Sequence, residues 1–187
     1  MAALQAIGAG LLLVVFDLTW GDPGYDAVPD PLGWALVTYG ATRLPRQLWL
    51  RGQLPVIAVL AGLISVALWL PAVTTAVAEA DESLQWALDL PSIGFVVALA
   101  ASLRRAAGGA EDRQGRGWWT VALVGSVITV VLPSVVYGLG SVELVPLTAT
   151  IALATLVLTL VLCFRHAARP WVQDQASRPE TPQGRPS

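Results

Sequence analysis

Between Glu143 and Arg165 the chain carries no charged residue. A helix needs about 20 consecutive apolar residues to cross the roughly 30 Å hydrocarbon core of a bilayer. Val142–Phe164 meets that requirement, and no other feature constrains the fold so strongly. Composition agrees: 55% of the 187 residues are hydrophobic, 13% are charged, and the mean hydropathy is +0.64. Soluble domains usually carry about 25% charged residues, so this chain calls for an apolar solvent.

Five further segments read as spans. Ala2–Trp20 is apolar apart from Gln5 and Asp17, and no arginine precedes Arg43. It therefore reads as an uncleaved first span, since a signal peptide would want a basic start. Leu54–Leu70 and Trp118–Gly138 follow the same pattern, with Trp118 and Trp119 placed as interfacial anchors. Pro31–Leu44 and Pro91–Arg105 are weaker. Each follows an aspartate, at Asp30 and at Asp89, and Asp as a cap with Pro in the first turn is a good helix start.

Charge decides whether the weak segments cross. With six crossings and the N-terminus inside, Arg43, Arg46 and Arg51 share one inner loop, and Arg104, Arg105, Arg113 and Arg116 share the next. Arg165, Arg169, Arg178 and Arg185 fall in the inner tail. Asp22, Asp26, Asp30, Glu79, Asp81, Glu82, Asp89 and Glu143 fall outside. Four crossings would split the arginines between the two sides, against the positive-inside rule. The expected fold is an all-α membrane protein of six transmembrane helices in three hairpins, with both termini cytoplasmic. The spans are 2–20, 31–44, 54–70, 91–105, 118–138 and 142–164, forming one bundle over residues 1–168. Hairpin alternation leaves an internal repeat open, because topology alone produces the same pattern.

In residues 72–90, Val73, Val77, Ala80, Leu84 and Ala87 or Leu88 share one helical face, while Thr74, Glu79, Glu82, Gln85 and Asp89 share another. This periodicity predicts an amphipathic helix on the outer surface with Trp86 at the headgroups. Residues 169–187, rich in Pro, Gln, Ser and charge, predict a disordered cytoplasmic tail. Ala2, Ala6 and Gly10, and likewise Ala98 and Ser102, are spaced for close helix packing within the bundle.

Few residues are available for chemistry. Asp17 is the one acid placed inside a span, one turn below the outer surface, where an ionisable side chain is a functional candidate. Asp17, Asp22, Asp26 and Asp30 crowd the first outer loop, where carboxylates could gather a hard cation. The simpler account makes Asp30 a helix cap and Asp22 part of a turn with Pro23-Gly24. Pro133 should kink its span and free a carbonyl, with Ser126, Thr129, Ser134 and Tyr137 near enough to answer it. Glu143 suits the positive N-terminus of the last span. Cys163 is the sole cysteine and His166 the sole histidine. The sequence holds no phosphate-binding glycine loop, paired-cysteine motif or zinc-protease motif, so no metal, cofactor or catalytic residue is assigned.

Asp17, Pro29-Asp30 and Gly33-Trp34, followed by Gly40 and Leu44, resemble the first hairpin of a group of bacterial, high-GC actinobacterial-type multi-pass integral membrane proteins of unknown function. Pro31 and a longer loop depart from that pattern. The resemblance implies a membrane location and no particular activity. The absence of lysine and asparagine, both encoded by A-rich codons, also fits a high-GC bacterial genome. The expectation is a multi-pass protein of the bacterial inner membrane without enzymatic activity. It would act as an accessory or interaction component of the envelope, its partners being the bilayer and another membrane protein or a second copy. With a net charge of -2 it has no global basic field for nucleic acid. The alternative is a small-solute transporter or channel.

Overall fold

The computed structural model describes residues 1–15, 19–20, 25–26, 30–80, 82–139 and 142–172. Seven α-helices follow one another: α1 Ala3–Val15, α2 Asp30–Thr42, α3 Gln53–Leu68, α4 Pro71–Ala78, α5 Glu82–Gly109, α6 Arg113–Leu139 and α7 Val145–His166. Between α1 and α2, β1 Thr19–Trp20 pairs antiparallel with β2 Tyr25–Asp26, Thr19 opposite Asp26 and Trp20 opposite Tyr25. Aromatic and β-branched residues favour extended backbone there, and Gly21-Asp22-Pro23-Gly24 between them is a turn-forming sequence.

Helix lengths differ in kind. At 1.5 Å per residue, α5 is about 42 Å long, α6 about 40 Å and α7 about 33 Å. These three are long and apolar enough to cross a membrane. α1 and α2, of 13 residues each, reach only about 20 Å, and α3 about 24 Å. Of the expected first span, 2–20, the described helix covers Ala3–Val15, and Thr19–Trp20 belongs to the strand pair.

The expected surface helix over 72–90 is also corrected. Pro71 starts α4, which ends at Ala78, and Glu82 starts α5, which runs unbroken through Pro91 to Gly109. Asp89-Leu90-Pro91 is therefore helix interior and not a helix start. The reason is backbone hydrogen bonding. Ending a helix strands up to four carbonyls, whereas carrying it through a proline forfeits one bond. In an apolar surrounding the continuous helix is the cheaper solution.

Six of the helices close into a ring. α1 packs on α2, α2 on α3, α3 on α5, α5 on α6, α6 on α7, and α7 returns to α1. The α1–α2 contact is backbone on backbone. A Cβ on Gly10 would stand 2.5 Å from the Gly33 carbonyl oxygen, and one on Gly40 would stand 2.7 Å from that of Ala3. Large side chains fill the middle: Leu4 and Ile7 from α1, Trp34 from α2, Phe95 and Leu99 from α5, Trp119 from α6 and Leu162 from α7 are buried. Trp34 and Phe95 meet edge to face, their centroids 5.8 Å apart.

Outward-facing positions are more apolar than many inward ones. Val121, Val124, Val127, Val131 and Val135 are exposed along α6, while Ser126 is buried on its other side. On α3, Val56, Val59, Leu60, Leu63 and Val66 are exposed, whereas Ala58, Ala61 and Ser65 are buried. Buried hydroxyls bond to their own helices: Ser102 Oγ to the Ala98 carbonyl at 2.7 Å and Ser126 Oγ to that of Ala122 at 2.8 Å. Exposed apolar belts of this extent suit lipid and not water.

The arginine-bearing loops gather at one end. The Arg105 guanidinium lies over the Trp49 ring, 5.8 Å from its centroid, joining the end of α5 to the α2–α3 loop. Arg51 crosses that loop to donate from Nε to the Leu44 carbonyl at 2.9 Å. After α7 the chain stays ordered for longer than its composition predicts. Pro170–Val172 forms a 3-10 turn, Val172 is buried, and Trp171 Nε1 donates to Asp112 Oδ2 at 3.3 Å. Residues 173–187, the rest of the expected disordered tail, lie outside the described residues.

Candidate functional site

At the end opposite the arginines, α5, α6 and α7 part. Heptad-spaced positions trace the opening. On α7, Thr159 and His166 are buried, and Val145 and Ala152 continue the same stripe into a cavity. On α5, Ala100 and Ala107 are buried, and Trp86 and Ile93 continue their stripe. On α6, Ala122 and Ser126 give way to Thr129, Pro133 and Val136. One three-helix seam is thus closed toward the arginine end and open at the other, leaving a vestibule of about 300 Å³.

The sequence supplies the cause. Each of the three helices carries a proline near this end: Pro91 in α5, Pro133 in α6 and Pro146 in the first turn of α7. Pro91 has no N–H for the Ala87 carbonyl and Pro133 none for that of Thr129, and rings at these positions bend helices away from their neighbours.

The lining is mostly apolar with a few polar groups. Trp86 and Asp89 lie one turn apart on the same wall. The Trp86 indole N–H is buried and has no hydrogen-bond partner. The two lining threonines are already engaged: Thr129 Oγ1 donates to the Gly125 carbonyl at 3.0 Å, and Thr148 Oγ1 to that of Leu144 at 3.0 Å. What remains for a ligand is one carboxylate, one indole N–H and the carbonyl that Pro133 leaves unserved.

Among the residues singled out from the sequence, Pro133 lines this vestibule. Asp30 is the first residue of α2. Glu143 lies in a 3-10 turn, Val142–Leu144, that precedes α7, so the last helix begins at Val145 and not at Val142. Tyr137 belongs to α6, but its side chain lies outside the described residues, as does Asp17 altogether. The acidic first loop therefore has no described cation geometry. Among the described residues no three His, Cys, Asp or Glu side chains converge on one point. Cys163 is buried, with its Cβ against Gly8 of α1.

Sequence reasoning missed Asp89 and Trp86. Assigning Asp89 to a cap hid the stripe Trp86, Asp89 and Ile93, whose i, i+3, i+7 spacing is visible once the helix is carried through Pro91. It also missed a second cluster, at the arginine end. His166 is buried between Trp119 and Trp171, with ring centroids 5.9 and 5.6 Å away, and its Nδ1 lies 3.1 Å from the Leu162 carbonyl oxygen. Asp112 caps α6 by accepting from the Gly115 N–H at 2.8 Å. That bond foremost, with the Trp171 indole and the Arg169 charge, holds the Asp112 carboxyl below the usual carboxylate range. These groups latch the α5–α6 loop to the segment after α7, and their role is structural.

Two other grooves differ in character. One, of about 430 Å³, lies at the arginine end between Gln47, Trp49, Arg105 and Trp171. The other, about 400 Å³, runs between α6 and α7 along Val121, Val124, Ile128 and Leu158, and its apolar walls suit an acyl chain. Comparison with protein-family models, with curated proteins and with solved structures finds no match to this chain.

Proposed function

We propose that the chain is a six-span protein of a bacterial inner membrane, with both termini and the arginine end cytoplasmic, acting as a non-catalytic accessory or interaction component of the envelope. The observation carrying the placement is the gathering of arginine-bearing loops at one end of a bundle belted by exposed valine and leucine. In this reading α1 and α2 cross as a hairpin. Their helices supply about 20 Å of the roughly 30 Å core. The filled middle of the ring, where Trp34, Phe95, Leu99 and Trp119 are buried, favours a scaffold over a channel.

Two measurements test this. In a Cys163→Ser background, an impermeant maleimide added outside intact cells should label Glu79→Cys and spare Gln47→Cys, and the reverse pattern would invert the topology. Purification of the tagged protein in nanodiscs from native membranes should then recover a second protein in near-stoichiometric amount. Recovery of the chain alone would overturn the accessory role.

The vestibule favours a second reading, a small-solute transporter. Asp17→Asn should then abolish flux in proteoliposomes with folding intact, whereas a scaffold tolerates the change.

A further inference from the structure

The chemistry of the vestibule is narrower than its shape. Asp89 brings a carboxylate into a cavity walled by Ile93, Val136, Val145, Ala149 and Ala152. Asp89 remains an exposed residue of α5, and where its carboxylate meets these apolar walls a cation offsets the water it gives up. Among the described residues the arginines lie at the opposite end of the bundle, so no side-chain cation of that end reaches Asp89 and a ligand can bring one. Asp89 also has no task in the fold, since it caps no helix and occupies the interior of α5, where aspartate is a poor helix former.

We propose that the vestibule binds a small organic cation: an ammonium on an apolar body, with a hydrogen-bond acceptor beside it. The ammonium pairs with Asp89, and the carbonyl of Thr129, deprived of a donor by Pro133, supplies a second negative pole. The Trp86 ring contributes cation–π attraction, and its unmet N–H takes the ligand's acceptor. The walls take the apolar body. A volume of about 300 Å³ sits at the lower end for ligand pockets, which run from about 300 to 1,000 Å³, and so limits the ligand to a small amine. A bare metal ion fits poorly, because hard cations want several oxygen ligands and the lining offers one carboxylate. The site is a binding site whether or not the bound amine is moved across the membrane.

The test uses the full-length protein in nanodiscs and calorimetric titration with three probes of one size: 2-amino-1-phenylethanol, 2-phenylethylamine and 1-phenylethanol. Wild type should bind the amino alcohol saturably, the plain amine several-fold more weakly, and the neutral alcohol not at all. Asp89→Asn should weaken both amines at least about tenfold, equivalent to 1.4 kcal/mol. Trp86→Phe keeps an aromatic face and loses the N–H, so it should remove the preference for the amino alcohol and weaken phenylethylamine only slightly, through the poorer cation–π face of phenyl. Arg105→Ala, at the far end, should change neither. Monodisperse elution and an unshifted thermal midpoint establish folding for each variant. Should Asp89→Asn fail to fold, the Trp86→Phe pair of titrations decides the matter alone. Equal binding of alcohol and amine, unchanged amine affinity in Asp89→Asn, or no saturable binding by wild type up to about 10 mM would each overturn the proposal. Binding in nanodiscs requires neither the assigned topology nor a protein partner, so failure here leaves the membrane placement standing.

Discussion

α1 and α2 meet by removing side chains, whereas α5 and α6 each lose a backbone donor, at Pro91 and Pro133, where they part from α7. Glycine at 10, 33 and 40 lets two backbones touch. Proline at 91, 133 and 146 stands where three helices diverge. Both devices spend residues that are poor helix formers, and they do so to opposite ends. The glycine seam has no room for a ligand and fixes a geometry. The proline seam keeps its depth of packing at one end only and leaves a chemically specific space at the other. A closely packed pair thus stands beside an opened trio.

The contrast is broken most severely at the seam itself. Gly10→Leu drives a side chain into the Gly33 carbonyl and should cost about 3 kcal/mol or more, read as loss of the folded fraction in detergent unfolding. The matching insertion Ala149→Leu, on the vestibule wall, should fall within about 0.5 kcal/mol, and an equal cost at both positions would erase the distinction. Pro133→Ala restores a helical hydrogen bond and should stabilise α6 by about 1 kcal/mol. It should also narrow the vestibule, so that the thermal midpoint rises while amine affinity falls.

The latch at the arginine end gives a smaller and pH-dependent effect. Asp112 is depressed in the folded protein, foremost by the Gly115 N–H. Its contribution is therefore complete above the unfolded carboxylate value of about 3.9 and is lost as pH falls through the lower folded value. Asp112→Ala should cost about 1 kcal/mol at neutral pH and nothing once the wild-type carboxylate is protonated. Unfolding curves at pH 7 and below pH 3 check the sign. Smallest of all, Trp49→Ala removes an exposed cation–π contact with Arg105 and should cost about 0.5 kcal/mol.

How much of this was legible depends on which interaction writes it. Apolar runs with flanking arginines gave six helices at close to the right places, because the cost of charge in lipid is written residue by residue. The small-residue spacing at Ala6 and Gly10 likewise pointed to a tight seam. Helix ends were less legible. The continuity of α5 through Pro91 depends on comparing one lost hydrogen bond with four, and the local cap signal at Asp89 argues the other way. That misreading concealed the vestibule, since Asp89 becomes interesting only once it has no cap to form. Burial of His166 between Trp119 and Trp171 was not legible at all, because it rests on how α6, α7 and the segment after α7 meet.

The ring is closed by its first and last helices, with Gly8 of α1 set against Cys163 and Phe164 of α7. During synthesis the α1–α2 pair therefore has one flank unmatched until α7 has been made. The latch after α7 forms later still. A chain stopped before Val145 keeps the glycine seam and leaves the Gly8 face of α1 without its partner helix.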